Sequence, residues 1–307
     1  MKHRALATAA AAGLAVVYAL AAKLGLSLAV IHPSVSAVWP PSAIALGALL
    51  VLGPAVWPGV LAGAFAINLH TALAQDEFGL AACLLSAAAL AAGNTLEAVA
   101  GAWAVNRFAG GRRAIENSED FIKLALFAGL LATMIGASVG VLSLRAAGML
   151  PAAAAAGAWL TWWLGDASGI LVGTPIILAW TAATPQRFKG GRAEGAALAL
   201  VFAGAVWFIF LGHRYPTAYF VLPVVIWTAF RFGMRGAAIA VFGLSCAAVY
   251  GTVNGRGPFA LGRGTTDLLI LQGFLATVAV STYVLAALIW ERERSERDML
   301  HSRDRLE

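Results

Sequence analysis

Of the fifteen acidic residues in this chain, only Glu97 and Asp166 fall well inside long apolar stretches. A carboxyl group within a bilayer is costly to hold there, so such a residue marks a ligand, ion or proton site by default. Asn94 precedes Glu97 by one helical turn in GNTLEA, which sets both side chains on one helix face. Asp166 stands in WLTWWLGDASGILVGTPIILAW, flanked by Trp162, Trp163 and Ser168. Asn68 and Trp39 complete the polar and aromatic set. Together Glu97, Asp166, Asn94 and Asn68 supply hydrogen-bonding groups for a ligand-binding cavity, and Trp39, Trp162 and Trp163 supply apolar walls. A structural reading stands beside this one. The same polar groups can bond across helices and fix a bundle, with Lys23 neutralising one carboxylate and the tryptophans packing or lying at the membrane surface.

Catalytic chemistry finds less support. The DASG run around Ser168 has no histidine at comparable membrane depth, and a serine nucleophile needs an adjacent base. His32, His70 and His213 all approach the outer surface, which argues against haem, and no cofactor is expected. Cys83 and Cys246 sit in apolar helix interiors as small hydrophobes, and without CxxC or paired-histidine spacing no metal site is expected. The chain therefore reads as no enzyme in itself.

The elements that must position these residues are membrane helices. Hydrophobic residues make up 61% of the chain and charged residues 12%, with a mean hydropathy of +0.82, far from the roughly 25% charged residues of a soluble domain. Punctuation between the apolar runs places ten helices, within a range of eight to ten, at about 5–30, 40–52, 55–74, 79–107, 119–146, 152–182, 195–212, 217–231, 235–254 and 266–290, with ends uncertain by about 2–4 residues. The second and eighth are short, each opening after proline and closing at a glycine turn. The fold class is thus all-α, a polytopic membrane bundle. With the N-terminus inside, eleven basic loop residues (Lys2, Arg4, Arg107, Arg112, Arg113, Lys123, Arg187, Lys189, Arg192, Arg231 and Arg235) lie on the inner side, against Arg145, Arg214, Arg256 and Arg263 outside. Both termini are therefore expected in the cytoplasm. In this topology Asn94, Glu97 and Asp166 lie at similar depth and can meet. The net charge of +6 follows from the inner loops and implies no nucleic acid.

The segments from His32 to Thr71 and from Arg214 to Thr252 resemble each other, each running from a proline-bearing loop through a short helix and a glycine turn into a small-residue helix. This suggests a parallel internal repeat. Faces carrying Gly59 and Gly63, or Gly129, Gly136 and Gly140, suit close helix packing. The loop from Arg107 to Lys123 reads as a solvated connection in which Asn117 or Ser118 caps the next helix. After Trp290 comes ERERSERDMLHSRDRLE, a charged helix leaving the membrane, with Leu285, Met299 and Leu306 on one heptad position. Residues 1–290 thus form the membrane domain, and residues 291–307 begin a cytoplasmic helix expected to pair in a homodimer.

Four segments in order, VWPPSAIALGALLVLG with WPGVLAGAFAINL, then AAGNTLEAVAGAW, then WLTWWLGDASGILVGTPIILAW, resemble the membrane-associated sensor domain of the first type, the MASE family. The likeness covers about residues 5–290. It implies a bacterial sensory input module in the cytoplasmic (inner) membrane, feeding a histidine kinase of a two-component system or a diguanylate cyclase in cyclic-di-GMP signalling. The partner implied is an unknown small ligand or membrane protein, with the lipid bilayer as solvent. A small-molecule transporter, or a subunit of one, is the competing function, suggested by the repeat and the buried carboxyl groups.

Overall fold

The computed structural model describes residues 2–27, 37–182, 190–212 and 217–303. His32, His213, Arg187, Lys189, Arg214 and Leu306 lie outside the described residues, as does the expected end of the first helix. Nine helices are described: α1 (Lys2–Ser27), α2 (Pro40–Leu52), α3 (Trp57–Leu73), α4 (Leu80–Phe108), α5 (Ser118–Ala146), α6 (Ala155–Thr181), α7 (Arg192–Gly212), α8 (Leu222–Val253) and α9 (Thr265–Arg303). No strand occurs among the described residues. All but α2 are long and apolar enough to cross a membrane. This is the expected all-α polytopic bundle.

Packing registers give the direction of each helix. Gly59 lies against Ala11 and Gly63 against Ala15, so α1 and α3 run parallel. Gly93 faces Val139 and Gly101 faces Ala128 and Ala132, so α4 and α5 are antiparallel. Gly140 meets Trp162 and Gly129 meets Leu171, which makes α5 and α6 antiparallel as well. α2 runs alongside α6 in the same direction, with Trp39 on Gly169, Ala43 on Gly173 and Gly47 on Ile177. Without water to drive association, such contacts depend on backbones coming close, and a side chain at these glycines would prevent it.

The expected eighth and ninth helices are the two parts of α8. At Gly233 the backbone takes φ 58° and ψ −153°, and Thr228 and Phe232 fold back against Gly236. Gly53, which ends α2, has φ 90° and ψ 169°. Both glycines occupy a region of backbone space open essentially to glycine alone. The two segments that resemble each other in sequence thus share the same kind of turn at the corresponding place.

One end of the bundle collects most of the charged groups. Arg112 donates to the Thr181 carbonyl at 2.7 Å and Arg235 to the Ala179 carbonyl at 3.0 Å, so two guanidinium groups satisfy the last turn of α6. Glu194, at the start of α7, pairs with Arg231 beside the Gly233 turn. Asn117 caps α5, its Oδ1 accepting from the backbone N–H groups of Glu119 and Asp120. The loop before it is solvated along Arg107, Arg112 and Arg113 as expected, but it tucks Ala114 and Ile115 into the core. Cys83 is buried as expected, but Cys246 is exposed on α8.

α9 continues without a break from Thr265 through Met299 to Arg303. Glutamate and arginine are good helix formers, and the segment after Trp290 contains no glycine or proline. α9 packs on α8, α6 and α5, and its Tyr283 ring lies 5.3 Å from that of Phe121.

Candidate ligand-binding site

Asp166 is placed by the glycine stripe of α6. Gly165, Gly169 and Gly173 recur every four residues and let the start of α2 lie directly on α6. Pro40 and Pro41 open α2 without N–H groups to satisfy, and the Trp39 N–H donates to the Gly165 carbonyl at 3.0 Å. This contact brings the Ser42 hydroxyl to Asp166, where it donates to Oδ1 at 2.8 Å. Asp166 is only 7% exposed.

Glu97 arrives from α4, where it is buried against α5. The helix contact that admits Glu97 is made at Gly136 of α5, where a Cβ would collide with Glu97 Oε2. Glu97 is 2% exposed, and its Oε2 has no hydrogen-bond partner among the described residues. One turn before it, Asn94 Nδ2 donates to the Tyr18 hydroxyl of α1 at 3.1 Å. α1, α2, α4, α5 and α6 thus converge on two carboxyl groups, a serine, an amide and a phenol.

A cavity of about 580 Å³ descends onto this cluster. Its lining runs from Gln75, Pro151 and Thr265 at the ends of elements to a floor of Asn94, Gly136 and Asp166 in the interiors of α4, α5 and α6. Of the seven residues expected at the site, Trp39, Asn68, Asn94, Trp162 and Asp166 line the cavity. Asn68 donates from Nδ2 to the Ala64 carbonyl at 2.8 Å within its own helix. Glu97 does not line the cavity; it stands one layer back, behind Asn94 and Gly136.

Trp163 corrects the expectation. It does not line the cavity; its ring lies 5.3 Å from that of Trp159, and its Nε1 donates to the Leu130 carbonyl at 2.8 Å. Leu130 falls in the stretch of α5 from Ala125 to Ala132 that is wound as a π-helix, a form that disturbs the regular carbonyl ladder and exposes acceptors. Adjacent tryptophans on a helix point about 100° apart, so only Trp162 of the pair faces inward.

Lys23 does not neutralise either carboxyl group. It is exposed on α1 and forms no ion pair among the described residues. Among the described residues, no lysine, arginine or histidine lines the cavity.

Three contributors were not foreseen from sequence. Ser42 and Tyr18 look like ordinary small and aromatic helix residues until packing brings them to the carboxyl groups. Gln272 of α9 is 1% exposed and donates from Nε2 to the carbonyls of Ala37 at 3.1 Å and Thr161 at 3.3 Å. An amide one turn into the run from Leu268 to Trp290 was the available signal, since an uncharged polar group in a span seeks an interhelical partner. Thr161 lines the cavity and Ala37 lies two residues before Trp39, so the last helix is bonded directly to the cavity wall.

The family model described as MASE1 matches residues 10–293, nearly the whole chain and every residue discussed at the site. No curated protein and no solved structure matches.

Proposed function

The chain belongs to the MASE1 family of membrane-associated sensor domains, and we propose that the cavity above Asp166 is where it detects a small ligand, with α9 carrying the signal to a cytoplasmic histidine kinase or diguanylate cyclase. The observation that supports this most is Gln272. It places the helix that leaves the membrane in hydrogen-bond contact with the cavity wall. A ligand moves a two-state equilibrium only through differential affinity, so the occupied and empty cavities must favour different positions of α9. A second contact between α9 and the bundle lies at the opposite end. Glu291 accepts from the Ser118 backbone N–H at 2.5 Å and from the Ser118 hydroxyl at 3.3 Å.

The test is a fusion of this chain to a diguanylate cyclase reporter in a bacterial inner membrane. Asp166→Asn and Glu97→Gln are expected to change cyclic-di-GMP output several-fold while the protein still accumulates in the membrane. Gln272→Leu is expected to leave the cavity intact and flatten the response. Unchanged output in all three variants would sink the sensory reading. Substrate uptake into liposomes carrying the purified chain would support a transporter instead.

A further inference from the structure

Taking the cavity as the sensory site, we propose that its ligand is an organic ammonium cation. Three independent features of the site point to that class.

Charge comes first. Asp166 is the one ionisable side chain among the described residues lining the cavity, and Glu97 lies against Gly136, which lines the same cavity. Two carboxyl groups are thus gathered at or just behind the cavity floor, with no basic side chain among the described residues that line it. Holding buried acid without a counter-charge is expensive, and a cation entering the cavity supplies the missing partner. An anionic ligand would find no positive side chain among the described lining residues to receive it.

The walls come second. Trp39 and Trp162 line the same cavity as Asp166, Trp162 one helical turn before it. Indole faces attract ammonium groups, and the attraction grows as water is removed. Leu90, Ile67 and Leu144 add an apolar lining that suits a hydrocarbon body attached to the charge.

Size and ligand number come third. About 580 Å³ lies within the roughly 300–1,000 Å³ usual for organic ligands, and far exceeds what a bare ion fills. No group of three or more histidine, cysteine, aspartate or glutamate side chains occurs among the described residues, so nothing there favours a metal ion over an organic cation. The unpartnered Glu97 Oε2 adds an acceptor beside the floor at Gly136, within reach of a small shift of the ligand or of Glu97 itself.

The experiment uses the full chain in lipid nanodiscs and isothermal titration calorimetry. Three ammonium compounds are each compared with an uncharged molecule of the same shape: choline with neohexyl alcohol, phenethylammonium with phenethyl alcohol, and putrescine with butanediol. At least one ammonium compound is expected to bind tenfold or more tightly than its neutral counterpart. Asp166→Asn should erase that preference while leaving the weak binding of the alcohol, and Glu97→Gln should reduce it less. Equal binding of charged and neutral partners, or tighter binding of phenylpropionate than of phenethylammonium, overturns the proposal. So does an ammonium preference that survives in Asp166→Asn. The wild-type comparison needs no variant to fold. If no ammonium is preferred yet Asp166→Asn still changes reporter output, the ligand class falls and the sensory reading stands. If ammonium binds as expected and reporter output ignores both ligand and variant, the ligand class stands and the sensory reading falls.

Discussion

Ser42 shows how much of the site depends on a single small residue. Its hydroxyl reaches Asp166 only because Gly169 lets the Trp39 backbone lie on α6. A Cβ at Gly169 would strike the Trp39 backbone, which has no freedom to move, whereas one at Gly136 would strike the flexible end of Glu97. Opposite outcomes follow from this difference. Gly169→Ala is expected to separate α2 from α6 and cost about 1–3 kcal/mol or more, read as reduced accumulation in the membrane and a lower thermal midpoint. Gly136→Ala is expected to accumulate normally and alter reporter output through a displaced Glu97. Equal damage from both would show that Gly136 is a packing position only. The carboxyl groups, Asn94, Asn68 and two of the three tryptophans were legible in the sequence because rarity inside apolar spans singles them out. Tyr18, Ser42 and the outward turn of Trp163 were not, since their roles arise from which helix faces meet, and residue type alone does not specify that.

At the scale of elements, the helices were legible almost throughout, because a run of about 20 apolar residues has few alternatives in a bilayer. Gly53 and Gly233 were visible as breaks beside proline or arginine. The burial of Ala114 and Ile115 escaped notice because their GGRR neighbours give the loop a solvated look. Within that loop region, the start of α5 gains a second acceptor from another element, since Glu291 binds the Ser118 N–H that Asn117 does not reach. Replacing Glu291 by alanine removes an interaction of the N-cap kind, worth about 0.5–2 kcal/mol. Basal reporter output is expected to shift in Glu291→Ala and to return toward the wild-type level in Glu291→Gln, which keeps an acceptor. Identical output in both variants and the parent would mean that this contact does not restrain α9.

For the molecule as a whole, the packing registers make successive segments alternate in direction and gather Arg107, Arg112, Arg231, Arg235 and Glu291 toward one end. That end is expected to face the cytoplasm, because positive loops resist translocation. Reporter fusions at Gly111 and Gly190 should read cytoplasmic, and those at Gln75 and Gly257 external; an external signal at Gly190 would contradict the grouping of the Arg235–Ala179 and Glu194–Arg231 contacts at one end. Beyond the bundle, Met299 is 64% exposed on a helix that has left its partners behind. Met299→Cys is expected to crosslink between two copies of a functional protein, and absence of crosslinks there would make this segment a passive tail. The two attachments of α9 also define a mechanical arrangement. Gln272 and Glu291 are separated by about 28 Å along the axis at 1.5 Å per residue, close to the thickness of a bilayer's hydrocarbon core, and Arg303 extends about 18 Å further. Tyr283, packed on Phe121 between these two points, must yield for the helix to act as a lever with its fulcrum at the cavity and a catch at the far membrane face. If the catch opens while the fulcrum holds, each ångström of sideways movement at Glu291 becomes about 1.6 Å at Arg303.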